Sequence, residues 1–490
     1  MSTHRGVDAS TLPPTPAEIR GLIRSWRRGR VTAPWGEILY QAYLALLTVL
    51  IFGSGLVSAV VNAGQAVAVC ASETCVGTRT AGPVLVVLIW LALGAAVLRL
   101  LGPLMSSPAT SAMVLSTPVD RGRWLWRQYW AMVLLAAATA AVPAALAAVT
   151  AGWALTTVGA LALAAAALGS MTYAGGAVAQ SRTRSAWRMI GPIAALAALA
   201  ALAGVAAGIT SGFAPPASAW WWLAPAALTP LAGSVAALGH RRLGRLRRRE
   251  LTRGHGLANG LSGALAGLDT ALAYDVVLQH TSRQRAVVRS RRPWGPRGPL
   301  ALVTADLIRL RRAPVRVLVL AAAVVPAYAL AEAGAGALMV PVMVVLGFWA
   351  AVPLGAGLRV LSRSGGLVRL LGARSWQLRA GALVVPMALL LAYGLGSLWA
   401  LPHPLLAPAV GLGALAALTR WLAAPPPDYA SAMVSTPMGA MPVTLFTNAV
   451  RGFDIAGLVS IPALFAPNAA GATISLALSA ITLCVLVGRR

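Results

Sequence analysis

Lysine is missing from this 490-residue chain, and that absence excludes a phosphate-binding loop of the kind whose lysine reaches the phosphates of ATP. All 40 basic residues are therefore arginine, set against only 12 acidic ones. Carboxylates are also missing from the middle of the long apolar segments: Glu37, Glu332 and Asp454 lie near segment ends, and the others in polar stretches. A transporter driven by protons or sodium is expected to keep carboxylates at mid-membrane, so ion coupling is disfavoured. The histidines His4, His240, His255, His280 and His403 are scattered, and the cysteines Cys70, Cys75 and Cys484 have no histidine near enough to suggest a metal site. HExxH, GxSxG and paired-carboxylate motifs are absent, so no catalytic, cofactor or metal residue is assigned and an enzyme is not expected. The opening MSTHRGVDASTLPP lacks the apolar core of a secretory leader, which leaves insertion to the first span.

What is present is hydrocarbon. The chain is 58% hydrophobic and 11% charged, with a mean hydropathy of +0.75. Apolar segments recur along its length, close to the ~20 residues a helix needs to cross a bilayer. Barrel-type alternation is absent, so the expected fold is an all-α polytopic membrane protein with about 12 transmembrane helices. The net charge of +28 sits in arginine blocks between apolar segments, the pattern of cytoplasmic loops and not of a nucleic-acid-binding face.

In order, residues 1–14 read as a disordered lead-in and residues 15–239 as a first transmembrane half. Thr15, Pro16 and Glu18 form a capping box, and Ile19, Leu22, Ile23 and Trp26 oppose Arg20, Arg24, Arg27 and Arg28 on an amphipathic surface helix. Spans are expected at 38–61, 84–98, 130–148, 153–174, 190–209 and from Trp220 onward. Cys70 and Cys75 share an outer loop of low charge, where a disulfide is preferred to two free thiols. Residues 240–299 read as a cytoplasmic linker, with arginines at both ends and a helical stripe of Leu257, Leu261, Leu265, Leu268 and Leu272. Residues 300–490 read as a second transmembrane half with spans at 317–331, 338–358, 380–399, 405–418, a short one after Asp454, and 472–487.

Matches in the same order suggest that the halves are two six-helix repeats. Leu22-Ile23-Arg24 answers Leu307-Ile308-Arg309, Leu98-Arg99-Leu100-Leu101 answers Leu358-Arg359-Val360-Leu361, and Val119 to Arg127 answers Gly372 to Arg379. An echo of SAMVLSTPV at 111–119 in SAMVSTPMG at 431–439 falls outside this register.

The stretch Ser111 to Arg127, SAMVLSTPVDRGRWLWR, interrupts the apolar segments after the second expected span. A surface helix, two spans, a short inner helix of this form and four further spans resemble the permease subunit of a type-2 ABC exporter. The likeness covers nearly the whole chain in architecture, is strongest from Ser116 to Arg121, and departs from the commonest pattern in fusing two halves. The resemblance implies that Thr117, Pro118, Val119, Asp120 and Arg121 form a coupling helix that docks a separate nucleotide-binding subunit, with Leu370, Leu371, Gly372, Ala373 and Arg374 as a second docking segment lacking the Ser-Thr-Pro. Asp120 and Arg121 would pair with the partner while Leu115 and Val119 fill its pocket. ATP and Mg would then belong to partner ATPase subunits, two copies. The chain would lie in the plasma membrane among its lipids with both termini cytoplasmic, exporting a compound its spans do not identify. A non-transporting membrane scaffold or accessory protein is the alternative, and an enzyme acting on lipid-linked substrates a further one.

Overall fold

A computed structural model describes residues 73–117, 120–182, 221–266, 269–284, 298–332, 336–424, 433–436, 439–442 and 450–488, with a few isolated positions besides. The lead-in, most of the expected first surface helix, the spans at 38–61 and 190–209, Cys70, Pro118 and Val119 lie outside the described residues. So does the side chain of Cys75, and with it the expected disulfide. The chain divides into two compact units, 1–259 and 260–490, a boundary inside the 240–299 segment.

The first unit contains α1 (Glu73–Leu101), α2 (Pro108–Met113), α3 (Arg121–Thr150), α4 (Leu155–Ser181) and α5 (Leu223–Arg241). A 3-10 turn at Leu243–Arg245, α6 (Arg248–Arg253) and α7 (His255–Ala266), which holds the boundary, complete it. Alanine makes the helix pairing close: Ala140, Ala144 and Ala148 of α3 are buried with Val158, Leu161 and Ala165 of α4, and small side chains let backbones approach where lipid supplies no hydrophobic drive. The C-terminal ends of α4 and α5 and the start of α3 gather at one end, where Tyr129 donates to Ala236 O at 2.8 Å and Gln180 to Glu250 O at 3.2 Å. Arg121, Arg123, Arg182, Arg241 and Arg242 collect there too. At the opposite end the rings of Trp153 and Trp221 stand 4.9 Å apart.

The second unit begins with α8 (Thr270–Gln284) and α9 (Ala301–Arg312). It continues through α10 (Val315–Ala322), α11 (Val325–Glu332), α12 (Met339–Ala351), α13 (Ala356–Arg363), α14 (Gly365–Leu370), α15 (Ser375–Gly396) and α16 (Leu406–Leu422), and ends with α17 (Phe453–Phe465) and α18 (Ala469–Gly488). α16 is its centre, buried along most of its length from Leu406 to Leu422. Between α16 and α17 lies a hairpin of β1 (Met433–Thr436) and β2 (Gly439–Pro442), antiparallel with Thr436 opposite Gly439. The echo noted above therefore has two structures. Ser111, Ala112 and Met113 close a helix started by the Ser107 cap and Pro108, whereas Met433 to Thr436 form a strand. Four shared letters do not outweigh what precedes them.

The expected 12 spans in two six-helix repeats are overturned. Among the described residues five helices are long and apolar enough to cross a bilayer: Ala81–Leu101, Arg121–Thr150, Leu155–Ser181, Ser375–Gly396 and Ala469–Gly488. A sixth is added if α12 and α13, bent by 72°, make one broken span. The two units do not repeat each other. Where the first unit has the 29-residue α1, the register offers the second unit the broken pair α12 and α13. The expected span at 317–331 is two helices of eight residues each, and those at 405–418 and after Asp454 are helices of 17 and 13 residues. Proline is the physical cause at two breaks. Pro326 stands at the start of α11, and Pro353 between α12 and α13, where a missing N–H and a ring clash end a helix. α5, though 19 residues long, is diluted by Pro225, Pro230, Gly233 and Gly239.

The outward faces of the long helices are hydrocarbon. Ile89, Trp90, Leu93 and Val97 of α1, Leu134, Leu135 and Val142 of α3, and Ile474, Ile481 and Val485 of α18 are exposed. Apolar surface on this scale faces lipid or a partner and not water. With several such helices, the molecule is a multi-pass, mostly helical membrane protein.

Candidate docking elbow and the broken helix

The described residues around the expected docking stretch, 102–117 and 120–123, form an elbow between α2 and α3. Ser107 caps α2 by accepting from Thr110 N at 3.0 Å, and Pro108 takes the first helical position, where its missing N–H costs nothing. After Met113 the chain turns through Val114 to Thr117, and Asp120 caps α3 by accepting from Gly122 N at 2.8 Å.

One face of the elbow is locked inward. Leu104 and Leu115 are buried with Leu125, Tyr129, Tyr173, Leu243, Leu246 and Leu251. The remaining ties are polar: Arg248 Nε donates to the buried Ser111 Oγ at 2.8 Å, Ser106 N to Leu251 O at 2.9 Å, and Gln180 Nε2 to Leu104 O at 3.1 Å. Arg121 belongs to this face, donating to Leu246 O and Leu115 O at 3.3 Å each. Leu115 and Arg121 thus both make contacts within the chain.

The other face is free. Ala109, Ala112, Met113, Ser116, Thr117 and Asp120 are exposed, Met113 at 77%. Asp120 Oδ2 stands 3.6 Å from Arg123 Nε, but both are well exposed, so the pair contributes little. Such a face offers Met113 and two alanines, two hydroxyls and a charge pair.

In the second unit, Leu370 ends α14 and Leu371, Gly372 and Ala373 turn into Arg374, whose N–H donates to Gln377 Oε1 at 3.2 Å at the start of α15. Leu370 is 86% exposed, and Leu371, Gly372 and Arg374 are exposed beside it. This turn has neither the hydroxyls nor the carboxylate of the elbow.

A third cluster was not singled out as a site from the sequence. Arg359, four residues into α13, is buried; its Nε donates to Asp275 Oδ1 at 2.7 Å and its Nη2 to Ala271 O at 2.8 Å, both on α8. Its guanidinium lies 5.1 Å from the Tyr274 ring centre and 4.9 Å from that of Trp421. Trp421 Nε1 in turn donates to Thr270 Oγ1 at 3.3 Å. Burial raises the Tyr274 hydroxyl above its ordinary value, and Arg316 and Arg359 pull it partly back. Asp269, buried, caps α8 through Leu272 N and accepts from Asn448 Nδ2 at 2.9 Å. Arg316 Nη1 reaches Pro353 O at 2.9 Å and satisfies a carbonyl that the break exposes. The expected stripe from Leu257 to Leu272 is not one helix: α7 ends at Ala266, and α8, which begins at Thr270, is the helix bolted to the broken one. The signals that could have found it were Asp275 within a leucine-rich linker and Pro353 just before Arg359.

Among the described residues, no three His, Cys, Asp or Glu side chains converge on a metal position. The fold and these clusters define the class: a polytopic, mostly helical protein of the membrane. Residues 75–432 match the family described as "Family of unknown function (DUF6297)", and the chain belongs to it. No curated protein and no solved structure matches the chain.

Proposed function

We propose that this chain is the membrane permease of an ATP-driven ABC exporter, and that separate nucleotide-binding subunits dock on the elbow. The observation that carries the reading is the two-faced geometry of residues 102–117 and 120–123: one face is riveted to the helix ends, and the other displays Met113, Ser116, Thr117 and Asp120. A rigid projection of this kind can transmit a change of partner shape to the spans, because binding energy that differs between two partner states biases the helices between two arrangements. The arginines gathered around the elbow favour the cytoplasmic side of the plasma membrane, where ATP is available and where both termini would lie. The turn Leu370–Arg374 is the second and weaker docking point, so that two ATPase copies serve one chain. ATP and Mg sit on those partners, and this chain is not itself an enzyme.

The test is co-purification with a separate ABC ATPase subunit produced together with this chain. Asp120→Ala would remove a helix cap as well as a charge, so Asp120→Asn is the informative change, since Asn still caps. Combined with Met113→Glu, it is expected to abolish association and stimulated ATP hydrolysis while leaving the melting temperature of the permease unchanged. Unchanged association and hydrolysis would overturn the docking assignment. Association without any stimulation, in the unaltered pair, would favour a scaffold over a permease.

A further inference from the structure

Asp306 lies on the inward face of α9, its side chain 4% exposed, and its two oxygens have unequal surroundings. Oδ1 accepts from Arg309 Nη1 at 2.6 Å. Oδ2 is buried and has no hydrogen-bond partner among the described residues. The carboxyl is pressed against the first turn of α13: a Cβ placed on Gly357 would stand 3.1 Å from each oxygen and 3.0 Å from Arg309 Nη1. The carboxyl thus sits between α9 and the helix that follows the 72° break, close enough that a side chain at position 357 would have to push it or Arg309 aside.

An ionised carboxylate in this position would leave an unsolvated oxygen bearing part of a negative charge, whereas a neutral acid leaves only an unused hydroxyl, which costs far less. The charged groups on the surrounding elements do not change this balance. On α13, Arg359 and Arg363 are both engaged by Asp275. On α15, which packs along α9, Arg379 donates to Leu486 O and Tyr393 to Met343 O. On α9 itself Arg311 and Arg312 are exposed, and Arg309, whose side chain is 44% exposed, opposes the effect of burial on Asp306 through its charge and its hydrogen bond without outweighing it.

We propose that Asp306 is a proton-binding site, with the proton on Oδ2 and Oδ1 accepting from Arg309, and that this proton holds α9 against α13. Binding forms one O–H bond with a proton taken from solvent and neutralises one carboxylate. Release leaves a buried anion that only separation of the two helices can hydrate, so deprotonation loosens the clasp at the broken helix. This site is independent of what docks on the elbow. It also bears on the broken helix directly, because Gly357 is the second residue of α13.

The experiment is a pH titration of the detergent-solubilised full chain by infrared difference spectroscopy. Near neutral pH the protein is expected to show the carbonyl band of a protonated carboxylic acid. The band should shift when aspartate is labelled with carbon-13 and should be missing in Asp306→Asn, which resembles the neutral acid in shape. The labelled wild-type spectrum keeps the test decisive if that variant fails to fold. A label-sensitive band that appears only below about pH 4, where ordinary aspartates protonate, would overturn the proposal, as would a neutral-pH band that survives in Asp306→Asn.

Discussion

Arg359 and Asp275, 84 residues apart in sequence, are joined at 2.7 Å between Nε and Oδ1, with the arginine buried and the aspartate partly open to solvent. This pair fastens α8 to the broken helix. Arg363 reaches the other oxygen of Asp275, so one carboxylate holds two arginines from successive turns of α13. Breaking one side of a buried ion pair costs about 3–5 kcal/mol, mainly because the remaining charge is left uncompensated. Asp275→Asn is therefore expected to lower the apparent melting temperature more than Arg359→Met, since only the first strands a buried cation. The double variant should recover part of the loss. Thermal unfolding of all three in one detergent checks this order, and additive losses would show the two residues to be uncoupled.

Gln180 is the corresponding fastener in the first unit. Its Oε1 accepts from Leu104 N at 3.3 Å, and its Nε2 donates to Leu104 O and Glu250 O. Gln180→Leu would leave the two buried polar groups of Leu104 unpaired, at about 1–3 kcal/mol each. The elbow is expected to loosen, with trypsin cutting at Arg121 and Arg123 faster than in the wild type. An unchanged cleavage rate would mean that Arg248 and the buried leucines suffice.

A close approach near the same end gives a test of packing. A Cβ on Gly239 would stand 2.4 Å from the Tyr129 hydroxyl, which is itself bonded to Ala236 O. Gly239→Ala should cost about 1–3 kcal/mol through overpacking. Adding Tyr129→Phe removes the oxygen that clashes, so the pair should be less damaging than the sum of the single changes. A double-mutant cycle on chemical denaturation measures the coupling.

Asp306 makes stability depend on pH with a definite sign. Burial holds its carboxyl above the usual carboxylate value, against the opposing pull of Arg309. A folded-state pKa above the unfolded one means that the folded chain binds the proton more tightly. The stabilisation from Asp306 is then full below the unfolded value near ~3.9 and is lost as pH rises through the elevated folded value. Asp306→Asn should flatten this part of the profile and match or exceed the wild-type melting temperature at neutral pH. Melting curves across the acid-to-neutral range check both.

Much of the helix content was legible in the sequence, because a helix in lipid is read from composition alone. The segments that became α1, α3, α4, α15 and α18 were marked by apolar length, and α3 begins at Arg121, directly after the Asp120 cap. Where local signals conflicted, the reading failed. Leu and Val runs at 317–331 and 338–358 have the length of spans although Pro326 and Pro353 divide them, and the matching order of Leu-Arg fragments has no counterpart in a duplication of the two units. At the elbow Thr117 and Asp120 are exposed while Leu115 and Arg121 turn inward, a division the sequence does not carry. Side-chain direction around a turn depends on what packs beneath it, here Leu246 and Leu251, more than 120 residues on.

The sequence by itself determined that this is a chain of the bilayer, since a mean hydropathy of +0.75 leaves no soluble core to build, and that without lysine it holds no phosphate loop of its own. Only the tertiary structure decided which polar groups matter. Arg359, Asp275 and Asp306 are ordinary letters in polar stretches until α8, α9 and α13 pack together, because the energy of a charge is set by what replaces its water, and that is a property of neighbours distant in sequence.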